Sequence, residues 1–221
     1  MPARPEPPRS AELPQTLWAR TPTPAELAEP GARLSELHVV GADLRGLELR
    51  SVHWSESRLE RVDMSGSRVH AGGFADAVLE GVDFSNIRAD GAELVRVEIR
   101  NSRLTGIEWH EGLLRDVLFD GCRLDLASFR FSTFERVAFR DCRLDEADLY
   151  AVEAKSLVLE STSLVRAKLS QARLAAAEVR GCELAEISGV DGLRGAAMTW
   201  PDLVQLTGAF AAAVGVSVLE E

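Results

Sequence analysis

From Leu34 to Leu184 every fifth residue is apolar, 31 positions in succession without a polar one. The series runs through Val39, Leu44, Leu49, Trp54, Leu59 and Met64 and ends at Leu174, Val179 and Leu184. Two residues before each member stands a second, mostly small residue: Ala32, Ala42, Val52, Ser57, Gly72, Ala92, Cys122, Ala147, Ala177, Cys182. None of these 62 positions is charged, although charged residues make up 27% of the chain. A period of five fits neither a helix at 3.6 nor a strand at 2. It requires a chain that bends every few residues, with two of each five side chains inward and three outward. Short fixed periods of this kind signal a solenoid.

The number of pentads per coil is tested by charge. If four make one turn, residues 20 apart stack. On one face Glu80, Arg100, Asp120, Arg140, Glu160 and Arg180 then alternate in sign over six layers. Stacked strands lie about 4.8 Å apart, so these charges are expected to pair along the axis. Cys122, Cys142 and Cys182 fall in one inward column, with Thr162 between.

The copies Ala42-Asp43-Leu44, Val62-Asp63-Met64, Val82-Asp83-Phe84 and Ala147-Asp148-Leu149 resemble the Ala-Asp/Asn-Leu-X-X motif of the pentapeptide repeat family. The likeness covers 155 of the 221 residues. It implies an all-β fold, a right-handed quadrilateral β-helix of nearly eight coils, about 35 to 40 Å long at the strand spacing. Leu37, Leu47 and Leu157 are large for the small position, and Gly72-Gly73 is read as loosening one corner. Gly41, Gly46, Gly66, Gly81 and Gly91 are read as corner residues. No insertion breaks the register, so the projecting loops of some quinolone-protection members are absent.

Three segments are expected. Residues 1–31 hold eight of the nine prolines and read as an extended N-terminal arm. Leu17 and Trp18 are its apolar anchor, and a short helix starts at Thr23 with Pro24 in its first turn. The arm is either a loose tail with one docking contact or a lid on the first coil. Residues 32–186 are the β-helix. Residues 187–221 are a helix-strand cap: Thr199 as N-cap, Pro201 and Asp202 in the first turn, a stripe of Leu203, Leu206, Phe210 and Val214, Gly215 as the stop, and a strand at Val216-Ser217-Val218-Leu219. That stripe covers the last coil. In gyrase-directed members of the family the C-terminal elements also build a dimer, so it serves as cap, as homodimer contact, or as both.

The chain is acidic, with a net charge of -10, and is not suited to direct nucleic-acid binding. The repeats themselves carry 21 basic and 27 acidic residues, a mixed surface. No run is long and apolar enough to span a membrane, and three cysteines do not make a disulfide framework; a cytoplasmic protein is expected. No nucleophile-base pair, phosphate-cradling loop or metal motif appears. The cysteines read as small buried fillers and the four histidines as separate outward residues, so neither enzyme, cofactor nor metal is expected.

Function must then lie on the outward residues. Asp43, Asp63 and Asp83 share one column; Glu36, Glu56 and Asp76 share another. Like charges stacked in a sheet are slightly destabilising. They are either solvation of an acidic protein or stand-ins for DNA phosphates. The resemblance implies the sharper form of the second reading, a DNA mimic bound to a type II topoisomerase such as DNA gyrase. The alternative is a protein-protein interaction scaffold. For that, Leu118, Ala138 and Val158 form an outward apolar strip, with Leu113, Leu126 and Phe131 outward in the same part of the chain. The N-terminal arm is a candidate cover for that strip.

Overall fold

The computed structural model describes residues 5–174 and 176–217. Its organising feature is one parallel sheet wound into a four-sided solenoid of about nine turns. The spine is a ladder of ten strands. They are β1 (Trp18–Ala19), β3 (Leu37–Val40), β4 (Glu48–Glu60), β5 (Arg68–Glu80), β7 (Glu93–Arg100), β9 (Leu113–Asp120), β10 (Thr133–Arg140), β11 (Glu153–Glu160), β12 (Ala177–Arg180) and β13 (Ala197–Met198). The short strands β2 (Arg33–Ser35), β6 (Arg88–Asp90) and β8 (Glu108–His110) lie on other sides. Between β3 and β12 the register is 20 residues per coil, His38 pairing with Arg58, Arg58 with Val78, and so on to Val158 with Glu178, apart from one irregularity where Glu135 pairs with Ser156. At both ends it shortens to 19, Ala19 pairing with His38 and Glu178 with Ala197. The ladder thus outruns residues 32–186 at each end, which is why the solenoid has more than eight coils.

The five-residue period becomes a backbone rule. In nearly every pentad the residue two after the central apolar one has positive φ, as at Glu36, Asn86, Asn101, Gly121 and Glu186. One left-handed residue per pentad bends the chain at each corner. At Met64–Ser67 the Ser67 N–H reaches back to the Met64 carbonyl across Gly66 at φ 67°, the geometry of a type II turn. The glycines read as corners, Gly41 through Gly91, all fall here. Gly72 and Gly73 differ from expectation. They lie inside β5 and mark a tight place: a Cβ on Gly73 would sit 1.9 Å from the Glu93 carbonyl oxygen, and one on Gly72 2.3 Å from that of Val52.

Both inward positions are buried along nearly the whole length, Ala32, Ala42 and Leu47 only partly. Central residues stack on their 20-residue neighbours. The rings of Phe119 and Phe139 lie 4.6 Å apart and 4° from parallel, and Trp54 stacks on Phe74 at 5.8 Å. Where the small position holds a hydroxyl it accepts a backbone N–H from the preceding coil. Ser57 takes Leu37, Ser67 takes Leu47, Ser102 takes Val82, Ser132 takes Gly112 and Thr162 takes Cys142, at 3.0–3.4 Å. Fixed at both ends by backbone, these buried hydroxyls carry no desolvation penalty.

The two ends are closed differently. Helix α1 (Pro24–Ala28) starts as expected: Thr23 and Glu26 make a capping box, and Leu27 is buried over the first coil. Trp18, read as an anchor, is 68% exposed; only Leu17 is half-buried. At the other end the expected single helix is two, α2 (Trp200–Gln205) and α3 (Thr207–Ala213), parted at Leu206. Thr199 caps α2 and Gly215 (φ 79°) ends α3, with Val216 N–H on the Ala211 carbonyl and Gly215 N–H on that of Ala212. Val216 and Ser217 form no strand, and Val218-Leu219 lie outside the described residues.

Asp202 does more than complement a helix dipole. Sitting 20 residues after Cys182, it occupies the place of the next coil's small residue. Its carboxylate accepts the N–H groups of Gly181 and Cys182 at 3.0 and 2.9 Å, and Gln205 accepts that of Leu184 at 2.9 Å. In the repeats the counterparts of Gly181 and Leu184 meet carbonyls of the following coil, as Ser161 meets Arg180 and Leu164 meets Glu183, and the counterpart of Cys182 meets the following coil's small-position hydroxyl, as Cys142 meets Thr162. Side chains of α2 therefore replace the missing strand and blunt the sheet edge.

Candidate protein-binding surface

The expected acidic columns form. Asp43, Asp63, Asp83, Arg103, Arg123 and Arg143 follow one another as successive parallel bridges. Their chemistry is less free than the sequence implies. Asp43 is held by Arg45 through two bonds of 2.6 and 2.8 Å, and Arg45 approaches Asp63 at 3.7 Å. The Arg45 bonds hold the Asp43 carboxyl below its usual pKa. Asp63 and Asp83 cap their own corners, accepting the N–H of Ser65 and Ser85. In the second column Glu56 is exposed and Glu36 half-buried. Asp76 is only 13% exposed at its side chain and is gripped by Arg96. It is not available as a phosphate mimic.

Ion pairs occupy the other faces. Arg143 bridges Asp125 and Asp145, and Glu135 is shared by Arg115 and Lys155. The alternating column pairs along the axis only at its end, Arg140 and Arg180 both reaching Glu160. Arg100 turns aside to Glu98 within its own strand at 2.6 Å, because a neighbour two residues away on the same face competes with one a coil away.

The outward apolar strip is largely covered. Ala138 is 0% and Val158 8% exposed, while Leu118 is half-buried. Of the C-terminal stripe, Leu206 is fully buried and Leu203 and Phe210 are partly so, whereas Val214 is 77% exposed. Trp200 (74%) and Val204 (54%), one helical turn apart on α2, are exposed as well.

The sequence placed Leu126 and Phe131 outward; their setting is visible only in the structure. They are adjacent corners of one coil, 57% and 53% exposed, each at φ 60°. No other large apolar residue has positive φ among the described residues. On the next coil Tyr150 meets Phe131 edge-on at 5.5 Å, and the Arg130 guanidinium lies 4.9 Å from the Tyr150 ring.

The three cysteines are free and buried. Burial pushes the Cys182 thiol up, and each sulfur hydrogen-bonds to backbone carbonyls as a filler in the small position. Among the described residues no group of three or more His, Cys, Asp or Glu is placed to hold a metal. No helix there is long and apolar enough to cross a membrane.

The coil, corners and inward ladder agree with what the chain is similar to. The model of the pentapeptide repeats matches eight copies, over residues 74–107. The chain carries pentapeptide repeats there. Solved structures to which the chain is similar include a trypsin-treated form of QnrB1, a plasmid-mediated fluoroquinolone resistance protein. It is 14% identical over 85% of this chain and 100% of that one, at a TM-score of 0.32. Another is HetL, from the cyanobacterium Nostoc sp. strain PCC 7120, involved in heterocyst differentiation regulation. It is 18% identical over 77% and 90%, at a TM-score of 0.30. No protein with a curated description matches the chain. The protein differs from the bare repeat pattern chiefly at its ends, in the arm before α1 and the polar cap on α2.

Proposed function

We propose that this protein is a non-enzymatic binding rod, working in the cytoplasm, that contacts a protein partner through the patch of Leu126, Phe131, Tyr150 and Arg130. One observation carries this reading. Leu126 and Phe131 are exposed large apolar residues in a left-handed conformation that costs a side chain about 1–2 kcal/mol. Polar corners elsewhere in the same fold avoid the exposure. Strain combined with exposure points to a use for the surface, and the Phe, Tyr and Arg composition suits a binding hot spot. The test is affinity capture from lysate with wild type, Leu126→Asp and Phe131→Asp. A partner retained in 0.5 M salt (roughly a 4 Å screening length) and lost with either variant supports the reading. A partner set unchanged by both variants overturns it.

A second reading, DNA mimicry toward a type II topoisomerase such as gyrase, is favoured by the in-register stack of Asp43, Asp63 and Asp83. No cation lies within 4.0 Å of Asp83 among the described residues. Glu36 and Glu56 extend that surface, and Asp76 drops out of it. A supercoiling assay decides: inhibition or quinolone protection, removed by Asp43/Asp63/Asp83→Asn, is the expected result, and indifference to the triple variant rejects it. Trp200, Val204 and Val214 are in turn the contact of a homodimer, which Trp200→Asp should convert to monomer in sedimentation.

A further inference from the structure

The arm before α1 runs the length of the rod. The Ser156 hydroxyl donates to the Glu6 carbonyl at 2.9 Å, the Arg9 N–H donates to Asp116 at 3.0 Å, and the Glu12 N–H donates to Asp76 at 3.1 Å. The Trp18 N–H then reaches the Glu36 carbonyl at 2.7 Å. Ser156, Asp116 and Asp76 are 40 residues apart in the chain, two coils each, while their partners are three apart. Two coils span about 9.6 Å, and three residues of polyproline II span about 9.3 Å. The two repeats match.

Burial has the same period. Pro5, Pro8, Ala11, Pro14 and Leu17 are half-buried at every third position, with Leu13 beside them. A strand would show every second residue to the rod; a three-residue turn is polyproline II. That conformation makes no hydrogen bonds of its own, which leaves the N–H groups of Arg9 and Glu12 free for the two aspartates. The donors are not proline, although the residue before Arg9 is.

Charge adds to the match. Asp76, Arg96, Asp116 and Arg136 form one column of corners, all with positive φ. Each Arg grips the Asp one coil before it with two bonds of 2.5–2.7 Å. The arm presents Glu6, Arg9 and Glu12 to it. Bonds to Asp116 raise the Arg136 pKa first, and Glu6 adds to the rise. Bonds to Asp76 do so for Arg96, and Glu12 adds. Arg136 lowers the Asp116 pKa, and Arg9 lowers it further. The arm's charges therefore lie among charges of opposite sign, Glu6 toward Arg136, Arg9 toward Asp116 and Glu12 toward Arg96. A slip by one arm turn would bring like charges together.

We propose that this column is a recognition track for extended proline-rich segments of another protein that carry acidic, basic and acidic side chains three residues apart, and that the arm is its resident competitor. The tether holds the arm at a high effective concentration, so a free segment enters only when the arm lets go. Arg136 is the corner after Phe131; the track shares no residue with the Leu126–Phe131 patch and does not depend on it.

The test uses the full chain carrying Arg9→Glu, which sets the arm against Asp116 and leaves the track intact. Two probes are fluorescein-labelled peptides of residues 4–17, one native and one with Glu6→Arg, Arg9→Glu and Glu12→Arg. The expected results are three. Hydrogen exchange at residues 9 and 12 accelerates at least tenfold in the variant, with the solenoid amides unchanged. The native peptide binds the variant saturably by anisotropy and binds wild type at least tenfold more weakly. The inverted peptide does not bind. Unchanged exchange in the variant, no saturable binding up to about 1 mM (the effective concentration of a short tether), or equal binding of both peptides would each overturn the proposal.

Discussion

Replacing Asp202 by Ala removes the acceptor for two backbone donors at the end of the sheet. Asp202 is 1% exposed, and the N–H groups of Gly181 and Cys182 lie 3.0 and 2.9 Å from its two oxygens. Leaving one buried donor unpaired costs about 1–3 kcal/mol. Two donors give about 2–6 kcal/mol, and water entering the gap brings the expected loss to roughly 2–4 kcal/mol. Total stability is only about 5–15 kcal/mol for a typical domain, so the effect is large. In a solenoid it falls first on the last coil, since each coil rests on its neighbours. The assay is hydrogen exchange by residue, paired with urea unfolding. The Gly181, Cys182 and Leu184 amides should exchange as an opened unit, while those of β7 and β9 hold. Asp202→Asn keeps one acceptor and should lose about half as much. A loss below about 1 kcal/mol with the Cys182 amide still protected would refute the view that a side chain stands in for the missing strand.

Three other outcomes follow from the geometry. Gly73→Ala drives a Cβ to 1.9 Å from the Glu93 carbonyl and should cost more than about 3 kcal/mol in urea unfolding; Gly41→Ala, with open space around it, should cost only about 1–2 kcal/mol. Leu126→Asn places a residue tolerant of φ 60° at an exposed corner and should raise stability by roughly 0.5–1 kcal/mol while weakening partner capture. Asp76 and Asp116 are held below the ordinary value of 3.8 by Arg96 and Arg136. With a depressed folded pKa, their contribution is whole above the ordinary value and fades as pH falls through the lowered one. The Arg9 and Glu12 amide shifts should thus stay native from pH 7 to about 4 and move toward random coil below that; movement at pH 5 to 6 would contradict it.

The solenoid was legible because its rule is local: two inward positions in five, kept from Leu34 to Leu184 without a charge. The 20-residue coil followed from stacking, and α1 from Thr23, Pro24 and Glu26. What escaped depends on contacts between distant segments. Nothing near Asp202 announces that it will sit over Cys182, since the usual reading of an acid after Thr199 is a helix dipole. The alternation of Asp76, Arg96, Asp116 and Arg136 is visible in the sequence once columns are drawn, but the eye is taken by Glu36, Glu56 and Asp76 as a run of like charge. The match to the arm needs both a period of three and a period of 40. Arg100 shows the opposite failure: the column was right, and a nearer acid, Glu98, took its partner's place.

The docked arm also decides how the molecule can be held. Because Glu6 lies beside Ser156 while the cap closes over Cys182, the two flanks of the chain meet at the same end of the rod, within one or two coils of each other. A cargo fused at either flank would leave the α1 end projecting several nanometres away, like the free tip of a boom. Peeling the arm would carry Glu6 away from the capped end, so one undocking event would move a cargo fused to the arm from the capped end toward the α1 end.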